Sequence, residues 1–413
     1  MALSWDTLRD LERLYGESFF VLDLPAFRKN YNEFLDAFRA IYPRSRIAYS
    51  YKTNYIPRLC REVDRMGGYA EVVSGMEYDL ALRVGVDPTR IIFNGPYKRE
   101  DDLERALLAG SIVNLDADYE VAALEGIARR HPHAKLTVGL RCNFVLDDIR
   151  SSRFGFDVED GLAEVFERLE RIDNCVVAGL HCHFSSGQRS IASYAERTRR
   201  LLDLSARCFR DRAPRFIDVG GGYFSRMSPE LRSQFPCPVP SYQQYAAAVA
   251  SEVAAAFPDA GPELILEPGA AITTDMMRFV AKVVARKRVG TREIALVAGS
   301  IHNIKPTLHD KQLPMRVVRA NGDLPGQAGG VPVDVVGYTC MEHDCLYRDC
   351  KEAVRPGDFV VFESVGAYTV VMKPPFIQPA PAILVDEGGG SFTVAKRPER
   401  CDDLFAAYSF PDQ

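Results

Sequence analysis

Four short runs of this sequence hold residue types that can do chemistry on a bound small molecule. Lys52, in IAYSYKTN, offers an amine that burial can lower in pKa, so that it attacks a carbonyl and holds it as a Schiff base. His181 and His183, in GLHCHFSSG, fall two residues apart on one face of an extended chain, where a flat imidazole can stack on a flat ring. Ser185, Ser186 and Gly187 follow directly. DVGGGYF sets Gly220, Gly221 and Gly222 in a row, and without Cβ atoms their backbone N–H groups can close on an anion such as phosphate. LILEPG delivers Glu267, a carboxylate able to keep a ring nitrogen protonated. Taken singly, each run has an ordinary explanation: a snorkelling lysine, a hydrogen-bonded histidine, a tight turn, a solvated strand-end acid. The glycine order does not match the G-x-G-x-x-G dinucleotide pattern, and no further ligands accompany the histidines, so no metal is expected.

The rest of the chain supplies a scaffold that would collect these runs. From about residue 46 to about residue 268, short apolar, β-rich stretches alternate with amphipathic stretches of helical length. Eight strands are expected: 46–52, 69–74, 90–94, 111–116, 135–142, 176–183, 216–219 and 263–267, with helices such as 100–109, 119–130 and 190–210 between them. That rhythm predicts a closed (β/α)8 barrel of parallel strands, whose C-terminal ends converge on one face. Lys52, His183, the glycines and Glu267 then meet at the mouth. After Ala270 strand-like runs follow one another without comparable helices, at 278–284, 293–297, 331–336, 358–362, 382–385 and 391–395. The expected division is a barrel over 25–270 and a β-rich domain made of 1–24 and 271–413.

Composition narrows the field further. The chain has 413 residues, 47% hydrophobic and 26% charged, which are the proportions of a folded, water-soluble protein. Its net charge is 51 − 56 = −5 with no long block of either sign, which argues against nucleic-acid or polybasic membrane binding. No apolar run approaches the roughly 18 residues that span a bilayer. The first residues carry acids where a signal peptide is apolar, so a cytoplasmic location is expected. Ten cysteines with no C-x-x-C pair indicate neither a disulfide framework nor a zinc site.

The joint order of lysine after strand one, histidine after six, glycines after seven and glutamate after eight resembles that of the fold-type III pyridoxal-phosphate decarboxylases. That group contains ornithine, arginine and diaminopimelate decarboxylases. The matching segments, YSYKTN, EVVSGMEYDLA, SRFGF, HCHFSSG, DVGGGYF, EPG, GYTCMEHD and ESVGAYTV, run over nearly the whole length. The resemblance implies an alanine racemase-like architecture, pyridoxal 5'-phosphate as cofactor, and Lys52 as its Schiff-base partner. His183 would lie against the cofactor ring and Glu267 would pair with its nitrogen, a pairing that favours decarboxylation; related racemases place an arginine there. Ser186, Gly220, Gly221, Gly222, Gly269 and Tyr368 match phosphate-binding positions, and Glu77 and Arg141 match supports of the lysine and histidine. Cys340 matches the cysteine that returns a proton to the substrate, arriving with Asp344 from a neighbouring subunit, so a homodimer with shared sites is implied. Phe376 matches a residue of the substrate channel.

The departures from the pattern bear on the substrate. The usual E-P-G-R ends in Ala270, R-P-x-L-Y reads Lys305, Pro306, Thr307, Leu308, His309, and the acid that normally follows the cysteine is Met341. A distal ammonium would find no partner at Met341, and an unpaired buried ammonium costs several kcal/mol. Lys305 and His309 offer cationic or donor groups to a carboxylate-bearing tail instead. These departures, with the KPTLH segment, resemble the decarboxylases of carboxylate-siderophore assembly that act on a citryl-diaminopropionate conjugate, of the staphyloferrin B type. The alternatives are a diamino acid (diaminopimelate, ornithine, lysine or arginine), another conjugated amino acid, an amino-acid racemase, or a non-catalytic cofactor-binding barrel.

Overall fold

The computed structural model describes residues 3–146, 152–259, 261–320 and 331–410. It divides into two compact units, one formed by Asn30–Phe224 and Cys237–Ile272, the other by Met1–Lys29, Ser225–Pro236 and Thr273–Gln413.

The first unit is a closed barrel. Its parallel strands run in the order Ile112–Leu115, Ile91–Phe93, Tyr69–Val72, Ser45–Ser50, Glu263–Glu267, Phe216–Gly221, Cys175–His181 and Leu136–Asn143, and the last pairs back on the first. Each strand is buried along nearly its full length because the helices cover the outer face while the interior fills with side chains. Ala48, Ile92, Ile112, Ala178, Phe216 and Ile265 form one such interior layer. A Cβ on Gly139 or Gly179 would stand 2.7 Å from the Phe216 ring, so the two glycines leave that ring its space. The covering helices follow ordinary signals. Ile191–Cys208 starts at Ser190, whose side chain accepts from the Ser193 N–H, and buries Tyr194, Arg197, Thr198, Leu201, Leu204 and Ser205 at helical spacing. Tyr242–Ala256 opens with a capping box between Ser241 and Gln244.

The second unit is a mixed β-sheet. Its main path is Cys345–Cys350, Val333–Val336, Arg292–Val297, Met277–Val289, Ser18–Asp23, Ala382–Asp386 and Phe392–Lys396. Phe359–Phe362 pairs with both Met277–Val289 and Met315–Val318. The thirteen-residue strand Met277–Val289 shifts register between Val283 and Ala285, which lets one half pair with Ser18–Asp23 and the other with Arg292–Val297. Leu8, Leu11, Phe19, Val21, Val280, Phe359, Val361 and Leu384 make its core. Full burial of such side chains stabilises by about 1.5–3 kcal/mol each. The strands Ser18–Asp23, Met315–Val318 and Cys345–Cys350 are additions to the sequence expectation. The eight barrel strands fall where their apolar runs placed them, within a few residues.

Candidate active site

Lys52 sits just beyond the first barrel strand, in the short 3-10 turn Tyr51–Thr53. Its Nζ donates to Glu71 Oε2, on the second strand. Glu71 Oε1 accepts from Asn94 Nδ2 at 3.1 Å, and the same amide donates to Glu267 Oε1 at 2.6 Å. Glu267 Oε2 lies 3.0 Å from His183 Nδ1. Asn114 Nδ2 holds the Asn94 oxygen at 2.8 Å. The ends of six strands are thus tied by one chain of side chains, Lys52–Glu71–Asn94–Glu267–His183, with Asn114 bracing its middle. They border a cavity of about 620 Å³ whose walls also include Arg141, Phe154, His181, Phe184 and Ser185.

The electrostatics of this floor are those of buried groups held near neutrality. The Gly221 N–H donates to His183 Nδ1 at 3.1 Å, and the same nitrogen lies against the Glu267 carboxyl. Burial raises the Glu267 pKa, while Lys52 and Arg141 pull it down. Burial, with Lys52 and Arg141 nearby, holds His183 down to about 3, so its ring is neutral. Asp218, fully buried, is also pushed well up by burial and by Glu267. His181 is 1% exposed, its pKa is driven down by burial, and among the described residues neither ring nitrogen has a hydrogen-bond partner. Ligand-type atoms of His181, His183 and Glu267 lie within 4.8 Å of one another.

Beside this floor is the glycine turn. Gly220 and Gly222 have φ of 69° and 92°, a left-handed backbone that favours glycine. A Cβ on Gly220 would stand 2.3 Å from the Cys182 carbonyl, and one on Gly221 2.3 Å from that of Glu267. Ser186 Oγ accepts from the Arg189 N–H at 3.0 Å, leaving its hydroxyl hydrogen to donate. A Cβ on Gly269 would meet Thr53 Oγ1 at 2.6 Å. Arg141 binds Asp116 at 2.7 Å and the His183 carbonyl at 3.3 Å, and thereby props the strand that carries the imidazole. Glu77 does not hydrogen-bond Lys52; it accepts from the Val73 N–H at 2.8 Å within its own turn, and Glu71 takes the lysine instead.

In the β-rich unit the remaining candidates have a different character. Cys340 is exposed and Met341 half-buried. Tyr368 has φ 62°, strained for a non-glycine residue, and is 38% exposed; Phe376 is 40% exposed. Lys305 is half-buried, with Nζ donating to the Lys311 carbonyl at 3.1 Å, and His309 is exposed. Partial burial lowers the Lys305 pKa. Asp344, expected to face a substrate, is instead 3% exposed, and both its oxygens are engaged. Oδ1 accepts from the Ile301 N–H at 2.7 Å, and Oδ2 from the Thr339 N–H and hydroxyl at 3.0 and 2.6 Å. Its place is to fix the turn that carries Cys340, since short polar turns need such internal acceptors.

Glu71, Asn94, Asn114, Asp116 and Asp218 were not singled out from the sequence. They carry a signal of the same kind as Lys52: polar residues inside or just after apolar barrel strands. A roomy cavity at the strand ends, a lysine amine with a carboxylate partner, a carboxyl deep inside and a Cβ-free turn fit a flat ring bearing an aldehyde, a basic nitrogen and a phosphate. Together with the barrel, they define an enzyme that works through a lysine-bound ring cofactor.

The family model described as pyridoxal-dependent decarboxylase, pyridoxal binding domain, matches residues 27–274, and the chain belongs to that family. It is a pyridoxal-phosphate-dependent amino-acid decarboxylase. The diaminopimelate decarboxylase of Aquifex aeolicus is 25% identical over 405 residues, covering 95% of this chain and 91% of its own. That of Bacillus subtilis is 27% identical over 415 residues, covering 95% and 92%. Two crystal structures share the fold. The Helicobacter pylori diaminopimelate decarboxylase complexed with L-lysine has a TM-score of 0.82 at 22% identity, covering 96% of this chain and 98% of its own. The Paramecium bursaria Chlorella virus arginine decarboxylase has a TM-score of 0.73 at 20% identity, covering 90% and 97%. Among the described residues no helix is long and apolar enough to cross a membrane.

Proposed function

We propose that this enzyme removes the α-carboxylate of an amino acid with a large anionic tail, with citryl-diaminopropionate of carboxylate-siderophore assembly as the candidate substrate. The observation that carries the decarboxylase chemistry is the chain from Lys52 through Glu71 and Asn94 to Glu267. Lys52 would bind the cofactor's aldehyde carbon, beside Glu71, which accepts from the free amine. Glu267 would face the ring nitrogen and, as a carboxylate, hold it protonated, and His183 would pack against the ring. Ser186, Gly220, Gly221, Gly222, Gly269 and Tyr368 hold the phosphate through uncharged donors. Arg141 supports His183 from behind, while Glu77 braces the turn at Val73 that follows the strand of Glu71. Bound pyridoxal phosphate supplies an electron sink for the pair left as CO2 departs. Cys340 then delivers a proton to the substrate's Cα, from the partner subunit of a homodimer.

The substrate proposal rests on Ala270, Lys305, His309 and Met341. Lys305 and His309 receive the carboxylates of the tail, Met341 offers nothing to an ammonium, and Phe376 lines the approach. A second reading has its own support: the curated relatives described above carry the name diaminopimelate decarboxylase, so a diamino acid is the competing substrate. Purified enzyme assayed for CO2 release with citryl-diaminopropionate, diaminopimelate, ornithine, lysine and arginine separates the two. Turnover of a diamino acid alone overturns the siderophore proposal; deuterium exchange at Cα without CO2 release would point to racemisation.

A further inference from the structure

The residues proposed for the phosphate are all uncharged, although a phosphate monoester carries about −1.5 to −2 at neutral pH. A cation stands directly behind the glycine turn. Arg197, on the helix Ile191–Cys208, is 1% exposed. Its Nη1 donates to the Gly221 carbonyl at 3.4 Å, and the Tyr194 hydroxyl donates to the same oxygen at 2.8 Å. The guanidinium lies 4.0 Å from the Tyr194 ring centroid and 5.8 Å from that of Phe184. Its Nε has no hydrogen-bond partner among the described residues. Asp218, a buried carboxyl on the strand that leads into the turn, is taken up by the Gly220 N–H at 2.9 Å, and burial with Glu267 nearby raises its pKa.

Two consequences follow from this placement. In a trans peptide the carbonyl and the next N–H point opposite ways, so drawing the Gly221 oxygen toward the helix turns the Gly222 N–H away from it. A buried cation is also screened far less than a surface one, and the Arg197 charge reaches as far as His183. We propose that Arg197 is the buried countercharge of the phosphate end: it fixes the Gly221 carbonyl and draws a dianion to the turn without touching it. Arg197 is then a positioning residue, and the inference rests on the reading of this turn as the phosphate cradle.

The test compares binding of pyridoxal phosphate and of pyridoxal, which lacks the phosphate, to coenzyme-depleted enzyme by absorbance titration. Arg197→Met should raise the Kd for pyridoxal phosphate about tenfold or more and leave that for pyridoxal unchanged. Arg197→Lys should recover much of the difference, whereas Arg197→Gln, which keeps a donor for Gly221 but no charge, should not. Arg189→Met is the comparison arm. Arg189 is half-buried and bonds the Tyr223 carbonyl at 3.5 Å, so solvent should blunt its effect. The 31P resonance of the bound coenzyme should shift in Arg197→Gln. Equal weakening of both ligands, or of neither, overturns the role of Arg197; should Arg197→Met fail to fold, the Gln and Lys variants decide in the same way. A wild-type enzyme that does not prefer the phosphorylated form would instead remove the cradle itself.

Discussion

The barrel mouth and the β-rich unit both carry candidate site residues, but they hold them in opposite ways. In the barrel, Lys52, Glu71, Asn94, Glu267 and His183 are joined by hydrogen bonds, and Glu71 and Glu267 are essentially buried. In the β-rich unit, Cys340, Tyr368 and Phe376 are exposed. Strain divides the same way. Among the described residues, Leu308, Asp349, Ser364, Tyr368 and Ile377 are left-handed without being glycine, against Arg189 alone in the barrel unit. For β-branched Ile377 at φ 64° that is a marked outlier. The barrel is built to fix a cofactor before any substrate arrives, whereas the β-rich unit presents side chains on strained loops, where specificity can change without disturbing a core.

If that contrast is right, barrel substitutions should damage chemistry or stability severely, and β-rich ones should redirect activity while sparing the fold. The largest effect is expected from Lys52→Ala. It should cut turnover by about 10⁴-fold or more and abolish the visible absorbance of lysine-bound coenzyme. Retained turnover would remove Lys52 from the chemistry. Next comes the buried pair Lys98–Glu120, whose side chains are both 0% exposed at 2.9 Å. Lys98→Met leaves the buried Glu120 carboxylate without its countercharge, with only the Asp116 N–H and the Tyr119 hydroxyl donating to it among the described residues, and should cost roughly 3–5 kcal/mol in urea unfolding. Adding Glu120→Leu should return most of that stability, and a barrel indifferent to either change would break the contrast.

Much of this division is legible in the sequence, for a physical reason. A strand end that switches from an apolar run to Lys52, to three glycines or to Glu267 is ordinary taken singly, but parallel barrel strands bring their C-terminal ends to one face, so the joint order of these ends announces a site. Glu71, Asn94 and Asp116 escape notice because each is a single polar residue in a short strand run, and its partner is 19, 173 or 25 positions away. Cys340 and Tyr368 stand out only through resemblance, since neither exposure nor left-handed backbone leaves a periodic trace. The same holds for Asp344, whose motif position suggested a ligand contact although its oxygens serve its own turn.

Glu77 tests the barrel through pH. Burial pushes its pKa from the ordinary 4.5 to about 7, although the Val73 N–H pulls the other way. The folded protein therefore binds this proton more tightly than the unfolded chain does, and the stabilisation is complete below 4.5 and lost as pH rises to 7. Glu77→Gln, which cannot ionise, should gain on the wild type across that window by on the order of 3 kcal/mol. Melting curves from pH 5 to 8 read this directly, and a constant gap between the two proteins would mean that the carboxyl stays charged in the barrel.

On the β-rich side Cys340→Ala should lower turnover by about 10²-fold with an unchanged melting temperature, because the exposed thiol packs against little. Unchanged turnover would strike it from the mechanism. The smallest effect is expected at Met341, and it bears most directly on specificity. On the proposed substrate reading, the half-buried Met341 faces the tail and gives a distal ammonium no partner, so a diamino acid would leave its charge unpaired there. Met341→Glu supplies the missing carboxylate and should raise kcat/KM for diaminopimelate or lysine about tenfold, while an anionic-tailed substrate should lose a similar factor through repulsion. Because the change lies in the β-rich unit, the coenzyme's absorbance should not move. If both substrates lose equally, residue 341 does not face the tail, and discrimination must then come from Lys305 and His309.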